Sequence, residues 1–210
     1  MIRFRYWVIG LLLLLCSTHL MGETTATNNI TEVKKTPIIL RVETSMGDFF
    51  MQLNEEKAPV TCKNFMSYVN DKYYDNTIIH RVIDGFLIQG GGFEPGFKPK
   101  PIKMPVENEA KHGLSNLRGT VGMALTTDKN SASSQFYINV ADNLDLDFEE
   151  GKPRGYTVFS EIIDGMDVID KIKKVRTRRI SFYSETYQRS VPLYDVPEYE
   201  ILIKKISILN

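Results

Sequence analysis

The chain has 210 residues, and 26 lysines and arginines balance 26 aspartates and glutamates, so the formal net charge is zero. This length is enough for one sizeable domain rather than two. The balanced charge gives no support to a protein that binds nucleic acid or another acidic surface through its total charge. An aromatic fraction of 10% is ordinary for a globular protein.

The first residues differ from the rest of the chain. Two arginines form a short basic start, residues 7–15 are almost entirely apolar, and a polar stretch begins at Cys16. This apolar run has about half of the roughly 20 residues that a membrane-spanning helix needs, so it predicts a secretory signal peptide over residues 1–22, cleaved after Gly22. Two membrane-tethered alternatives stay open: a lipoprotein acylated at Cys16, and a signal anchor that is not removed.

Residues 23–36 are polar and rich in threonine, asparagine and lysine, which predicts a linker or a disordered new N-terminus. The folded domain is expected over residues 37–210. Once the signal peptide is removed, Cys62 is the only cysteine left, so no disulfide can form within the mature chain. Because Cys62 lies in a helical pattern, we expect it to be a small buried apolar residue rather than a nucleophile.

Eight segments carry strand signals and are separated by turn or loop residues. They are residues 38–44, 48–53, 78–83, 86–89, 120–125, 135–140, 156–162 and 199–209. In the last segment the alternation of apolar residues changes phase at Lys204 and Lys205, as a β-bulge would cause. Residues 90–105 are rich in glycine, proline and lysine and predict a loop.

Two segments predict helices. The first begins at Pro59, a residue suited to the first helical turn, and ends at residues 70–72. The second is expected to be capped by Asp164, with lysines near its end, an order of charges that suits the helix dipole. Residues 176–198 carry few apolar residues and predict an extended surface loop. Its arginines are expected to be solvated, with a binding role as the alternative.

Several short strands with only two helices favour a mainly β fold in the form of a closed antiparallel barrel. The spacing of the strands does not by itself determine their order in the barrel. Neither internal repeats nor heptads are present.

One arginine lies within the most apolar part of the chain. Residues 79–93 place Arg81 on an apolar, strand-like stretch, followed by a second apolar stretch and a glycine cluster. A permanent cation rarely lies among so many apolar neighbours without a partner or a task. Taken alone, however, such an arginine is more simply interpreted as a surface residue of a strand.

A series of ordered motifs extends over nearly all of residues 37–210. They are residues 57–61, 74–77, 79–93, 108–110, 113–116, 118–124, 133–143, 155–159 and 164–172. Together they resemble the motifs of the cyclophilins, the barrel-shaped peptidyl-prolyl isomerases, and most closely those of the exported type of Gram-negative bacteria. The resemblance implies a closed eight-stranded antiparallel barrel capped by two α-helices and a periplasmic location. It also implies rotation about X-Pro bonds in proteins that fold outside the cytoplasm.

The resemblance assigns roles to individual residues. Arg81 corresponds to the catalytic arginine, which stabilises a twisted amide without any bond being broken. The substrate-binding positions correspond to His80, Phe86, Leu87, Gln89, Ala124, Leu125, Gln135, Tyr137, Leu146 and Tyr156. Those expected to hold the proline ring are Phe86, Leu87, Tyr137 and Leu146. Ala124 and Leu125 would supply backbone that pairs with the peptide. For His80, a packed strand residue is an equal alternative.

The chain departs from the family's pattern at several places. Tyr137 stands where phenylalanine is usual and adds a hydroxyl at the floor or rim of the pocket. Leu125 stands where related bacterial members carry arginine, so the groove preference is expected to differ. Asp145 replaces the tryptophan that helps eukaryotic members bind cyclosporin, and weak binding of that drug follows. The segment over residues 176–197 is longer than the resemblance leads us to expect.

No cofactor is implied, and the three histidines are too dispersed to suggest a metal site. The expected partners are proline-containing unfolded or folding polypeptides. Nucleic acid is not an expected partner, and we expect a monomer. The alternative function is a non-catalytic peptide-binding chaperone module that uses the same groove. An intact Arg81 argues against this alternative, because a pure binder could lose the arginine.

Overall fold

A closed antiparallel barrel forms the body of the domain. The computed structural model describes residues 36–152, 154–184 and 188–209. The expected signal peptide over residues 1–22, Cys16 within it, and residues 23–35 of the expected linker lie outside the described residues. Within the described ranges, no helix is both long enough and apolar enough to cross a membrane.

The strands and the helices of the described residues are each numbered in chain order. The strands are β1 (Ile39–Thr44), β2 (Gly47–Leu53), β3 (Thr77–Ile83), β4 (Leu87–Gly90), β5 (Phe93–Glu94), β6 (Lys98–Pro99), β7 (Thr120–Met123), β8 (Phe136–Asn139), β9 (Val158–Asp164), β10 (Thr177–Ser184), β11 (Arg189–Pro197) and β12 (Ile201–Ile208). The helices are α1 (Pro59–Asn70) and α2 (Met166–Ile172). Strands β5 and β6 form one small sheet inside the predicted 90–105 loop, and β10 and β11 form another.

Around the barrel the strand order is β1–β12–β3–β4–β8–β7–β9–β2, and β2 pairs with β1 to close the ring. The predicted fold, a closed eight-stranded antiparallel barrel with two helices, is therefore confirmed. In β12, Lys205 pairs with Glu43 and Ile203 pairs with Thr44, so Lys204 has no counterpart on β1. The predicted bulge is confirmed, and it explains why Ile206 is buried although it has the opposite phase to the buried Ile201 and Ile203.

The core is filled by alternate residues of the barrel strands and by one face of each helix. The buried residues of α1 are Thr61, Cys62, Asn64, Phe65, Tyr68 and Val69. The ring of Phe65 lies 4.9 Å from the rings of Tyr74 and Phe159, measured between centroids. Burial of each such side chain stabilises the fold by about 1.5–3 kcal/mol. Cys62 is 1% exposed, as expected for a small core residue.

The first turn of α1 is held by a residue from a distant loop. Ala58 occupies the N-cap position and offers no side-chain hydrogen bond. Instead, Glu109 Oε1 accepts a hydrogen bond from the Val60 N–H at 3.1 Å, and Oε2 accepts one from the Thr61 N–H at 2.8 Å. A carboxylate at a helix N-terminus satisfies unpaired N–H groups and complements the helix dipole.

The expected cap of the second helix is wrong. Strand β9 continues through Asp164, and Gly165, with φ of 83°, occupies the N-cap position of α2. A Cβ at Gly165 would lie 2.7 Å from the backbone atoms Asp48 O and Phe49 Cα. Glycine is needed here both for its left-handed conformation and for this close approach. The approach of β2 is a tertiary contact that the local sequence does not reveal.

The expected surface loop over residues 176–198 is also wrong, because β10 and β11 pair as an antiparallel hairpin. Ile180 pairs with Leu193 and Phe182 pairs with Val191, and these four are half-buried among exposed neighbours. Alternation of this kind is a strand signal. The low apolar content obscured it, since a hairpin that packs on one face needs few apolar residues.

Candidate functional site

A row of paired residues crosses four neighbouring strands on one face of the barrel. Arg81 on β3 pairs with Gln89 on β4. Gln89 pairs in turn with Tyr137 on β8, which pairs with Gly122 on β7. Directly paired residues point to the same face of a sheet. The adjacent row consists of the buried core residues Val82, Ile88, Ile138 and Val121. The row that contains Arg81 therefore lies on the outer face.

A cavity of about 380 Å³ opens at this row. It is lined by His80, Arg81, Gln89, Phe93, Gln135, Pro192, Leu193 and Tyr194. Four of these lining residues were predicted for the site: His80, Arg81, Gln89 and Gln135. The other four lining residues come from β5 and from the β10–β11 hairpin, to which the sequence interpretation gave no role in the site.

The polar side of the cavity is formed by Arg81 and a pair of glutamines. Gln89 Nε2 donates a hydrogen bond to Gln135 Oε1 at 2.9 Å. Within the described part of the chain, the charged partner of Arg81 is Asp195, whose Oδ2 lies 3.7 Å from Arg81 Nε. Both side chains of this ion pair are about two-fifths exposed (40% and 39%). The contact involves Nε and leaves the two terminal guanidinium nitrogens available to a ligand.

His80 lines the same cavity although it is next to Arg81 in the strand. The pairing of β3 with β4 slips between Ile79 and Arg81, so His80 is an extra residue at a bulge. Its ring is 8% exposed and meets the Phe93 ring edge-on at 4.9 Å. Burial, together with the charge of Arg81, lowers the pKa of His80 to about 4. The imidazole is therefore neutral near pH 7 and carries no charge into the site.

The ring of Tyr137 lies across the neighbouring strand β7. A Cβ at Gly122 would come within 2.3 Å of the Tyr137 hydroxyl, so only glycine leaves room for the ring. The hydroxyl donates a hydrogen bond to Asn116 Oδ1 at 2.6 Å, and the side chain is 2% exposed. Burial raises the pKa of Tyr137 well above its usual value. The hydroxyl is thus used inside the protein rather than offered to a ligand.

A buried network of amide side chains supports this part of the site. Asn116 Oδ1 accepts a second hydrogen bond, from Asn139 Nδ2 at 3.2 Å, and Asn116 Nδ2 donates to Asp147 Oδ1 at 2.8 Å. Asn143 Nδ2 donates both to Asn139 Oδ1 at 2.7 Å and to the backbone carbonyl of Phe86 at 2.8 Å. The network therefore connects the Tyr137 hydroxyl to the backbone of Phe86. Buried networks of this kind hold one conformation when all members are paired.

The remaining apolar residues of the predicted pocket lie outside the cavity that contains Arg81. Leu87 is on the outer face of β4 and is 5% exposed, whereas Phe86 and Leu146 are half-buried. The Leu146 carbonyl accepts a hydrogen bond from the Tyr156 N–H at 2.8 Å. The rings of Tyr156 and Tyr137 meet edge-on at 6.1 Å. These two contacts join Leu146 and Tyr156 to the row through Tyr137.

The backbone after β7 differs between the two residues predicted to pair with a peptide. The Ala124 N–H already donates to the Gln135 carbonyl at 3.0 Å. Leu125 follows it, and its N–H and C=O make no backbone hydrogen bond within the described part of the chain. Of these two residues, Leu125 is therefore the one whose N–H is available to an incoming peptide.

Comparison with known proteins identifies the family. The model of the family described as "Cyclophilin type peptidyl-prolyl cis-trans isomerase/CLD" matches residues 39–204 of this chain. The chain belongs to the cyclophilin family. The family's reaction, rotation about the peptide bond that precedes proline, is the activity of this chain.

Individual proteins that are similar to this chain are also peptidyl-prolyl isomerases by name. The chain is 47% identical over 167 residues to peptidyl-prolyl cis-trans isomerase B of Escherichia coli K12, covering 79% of this chain and 96% of that one. It is 46% identical over 167 residues to peptidyl-prolyl cis-trans isomerase A of Dickeya dadantii, covering 80% and 82%. A solved cyclophilin of Cryptosporidium parvum superposes with a TM-score of 0.65 at 26% identity, covering 83% and 99%.

Two features of this cyclophilin's site were missed by the sequence interpretation. One is the amide network, for which the available signal was Asn139, a polar residue between the apolar Ile138 and Val140 of a predicted strand. The other is the β10–β11 hairpin with Asp195, for which the alternation of apolar residues was the available signal. Among the described residues, no group of three or more histidine, cysteine, aspartate or glutamate side chains is placed to hold a metal ion.

Proposed function

We propose that this cyclophilin rotates X-Pro bonds with Arg81 as its catalytic residue. The observation that carries the proposal is the position of Arg81. It is a half-exposed guanidinium on the outer face of an apolar strand, with its terminal nitrogens unoccupied by described residues and a glutamine pair beside it.

The physical basis lies in the amide itself. Resonance gives the peptide bond a rotation barrier of about 18–20 kcal/mol, and rotation breaks no covalent bond. In the twisted state the prolyl nitrogen is pyramidal and accepts a hydrogen bond that the planar amide does not accept as well. A permanently charged donor fixed beside that nitrogen lowers the barrier, because it binds the twisted amide more tightly than either planar form. Neither a nucleophile nor a base is needed, which is consistent with a neutral His80.

The proposed substrate is a proline-containing segment of an unfolded or folding polypeptide. Phe86, Leu87, Tyr137 and Leu146, with Tyr156 at the edge, would hold the proline ring. Gln89 and Gln135 would orient the peptide, and the free backbone groups of Leu125 would pair with it. A solved cyclophilin of Cryptosporidium parvum, 27% identical to this chain, was crystallised in the presence of the dipeptide Ala-Pro, which supports this substrate class.

The test is the catalysed exchange of a short X-Pro peptide, measured by two-dimensional exchange NMR. We expect Arg81→Ala to lower kcat/KM by about a hundredfold, the effect of removing one fixed donor from a transition state. The matched control is Arg41→Ala, since Arg41 is 43% exposed and pairs with Asp48 away from the cavity. Full activity in Arg81→Ala would overturn the assignment of Arg81. Peptide binding with no acceleration by the wild-type protein would leave the non-catalytic chaperone module instead.

We propose in addition that the protein is exported to the periplasm. The basic start, the short apolar run and the polar stretch after it support cleavage after Gly22. Mass spectrometry of the protein from fractionated cells tests this. A soluble periplasmic form that begins at Glu23 is expected. A membrane fraction acylated at Cys16, or one that keeps its first residues, would support the tethered alternatives.

A further inference from the structure

The β10–β11 hairpin forms one wall of the cavity that contains Arg81. Pro192, Leu193 and Tyr194 of β11 line that cavity. On β10, the ring of Phe182 lies 6.3 Å from the ring of Phe93, a residue of β5 that also lines the cavity. Val196, at the end of β11, is 3% exposed. The hairpin is therefore packed against the barrel beside β3.

A bulge in β11 places a carboxylate beside the arginine. Arg178 pairs with Val196, but the next pair is Ile180 with Leu193. Arg179 alone therefore faces two residues, Tyr194 and Asp195, and its guanidinium carbon lies 5.1 Å from the centre of the Tyr194 ring. A bulge of this kind changes the direction in which a side chain points.

Asp195 has a backbone conformation that is unfavourable for most residues. Its φ is 59°, in the left-handed region that aspartate and asparagine tolerate better than other residues with a Cβ. Strained backbone of this kind is found preferentially where a side chain must be held in one place for function.

The ion pair itself contributes little to folding stability. Its atoms are 3.7 Å apart, beyond a good hydrogen bond, and both side chains are about two-fifths exposed, so water screens the attraction. Stability therefore does not account for the strained Asp195. Its effect lies in where it holds the guanidinium, because an arginine side chain has many rotamers and contact at Nε removes part of that freedom.

We propose that Asp195 is a positioning residue for Arg81. Its carboxylate attracts the Nε edge of the guanidinium, so that the two terminal nitrogens face the bound peptide. The inference rests on the proposed function, in which Arg81 acts on the X-Pro amide. Without the carboxylate, Arg81 spends less time in the productive orientation, and the rate of rotation falls while peptide binding changes little.

The first experiment compares Asp195→Gly and Asp195→Asn with the wild-type protein. Both replacements tolerate the left-handed backbone, so the hairpin keeps its bulge. We expect kcat to fall about fivefold or more in Asp195→Gly, less in Asp195→Asn, with KM nearly constant. Glu198→Gln, the loss of an equal charge at the end of the hairpin, is the control and should have wild-type kcat. Wild-type kcat in Asp195→Gly would overturn the proposal.

A double-mutant cycle separates positioning from a general effect of the hairpin. If Asp195 acts through Arg81, Asp195→Gly has no further effect on the residual rate of Arg81→Ala, measured at high enzyme concentration. An equal fold-loss in both backgrounds would contradict the proposal and indicate a structural role. The Arg81→Ala arm reports separately on the function, since full activity there would overturn the proposed role of Arg81 and this inference with it.

Discussion

The burial of His80 makes the stability of the fold depend on pH. Its buried ring has a pKa lowered to about 4, mainly because burial disfavours the charged form. In the unfolded chain a histidine has a pKa near 6.5. Between these values the unfolded chain takes up a proton that the folded protein does not. Acid therefore favours unfolding over this range, and the contribution of His80 is complete above about pH 6.5.

We predict that stability falls as the pH is lowered from about 6.5 to 4, with His80 contributing about 3 kcal/mol of the total loss. The replacement His80→Phe keeps a buried ring but cannot bind a proton, so its stability should depend less on pH over this range. Urea unfolding at a series of pH values gives, for the wild-type protein and for His80→Phe, the slope of the unfolding free energy against pH. Equal slopes for the two proteins would show that His80 is not responsible.

The ring and the hydroxyl of Tyr137 are expected to have separate roles. The ring forms part of the proposed proline pocket, and the hydroxyl donates a hydrogen bond inside the protein. Tyr137→Phe removes a buried hydrogen bond to Asn116, whose oxygen keeps its bond from Asn139. We expect a loss of about 1 kcal/mol in unfolding free energy, with isomerase activity unchanged within about twofold. A large loss of activity would mean that the hydroxyl takes part in substrate binding.

Gly122→Ala is expected to displace the ring of Tyr137, which lies against Gly122. The new methyl group would lie 2.3 Å from the Tyr137 hydroxyl, so the ring must move. We expect a cost of about 1–3 kcal/mol from overpacking, and here activity should fall because the pocket floor is displaced. The exchange assay and thermal unfolding, applied to both variants, separate the two effects. Wild-type activity in Gly122→Ala would show that the position of the ring is not critical.

At the scale of elements, α1 depends on a carboxylate that its own sequence does not provide. Glu109 is 5% exposed and accepts hydrogen bonds from two N–H groups of the first turn and from the Thr61 hydroxyl. Because the helix lacks a side-chain cap of its own, these bonds replace it.

We predict that Glu109→Gln lowers the unfolding free energy by about 1–2 kcal/mol, since a neutral amide keeps one acceptor but loses the charge at the helix N-terminus. Glu107→Gln, an exposed charge change two residues earlier, should be neutral within about 0.5 kcal/mol. Chemical denaturation measures both. If the two variants were equally stable, the contacts of Glu109 would not be what holds α1.

In the whole molecule, the site is formed by the register in which four neighbouring barrel strands pair. The pairing of β3 with β4, β8 and β7 brings Arg81, Gln89, Tyr137 and Gly122 into one row although they are up to 56 residues apart (137 − 81). Period-two alternation predicted the four strands, but it did not predict the register that brings these residues into one row. The resemblance to cyclophilins implied a closed eight-stranded barrel, whereas the order and register of its strands come from the structure.

What the sequence did not predict depends on contacts between distant segments. The cap Glu109, the close approach at Gly165 and the link from Asn143 to the Phe86 carbonyl all join segments that are far apart in the chain. Local patterns carry no information on such contacts. The hairpin is a different case, since Ile180 and Phe182 showed the alternation, but the segment around them has too few apolar residues for it to stand out.

In the proposed mechanism, Arg81 accelerates rotation of the X-Pro bond and contributes little to peptide binding. The most direct measurement is NMR exchange on the enzyme-bound peptide, which gives the on-enzyme rotation rate and the Kd in one titration. We expect Arg81→Ala to lower the rotation rate about a hundredfold and to change Kd by less than about threefold. Arg81→Lys, which keeps the charge but not the planar fork, should remain well below wild type. Weaker peptide binding with an unchanged rotation rate would show instead that Arg81 holds the peptide.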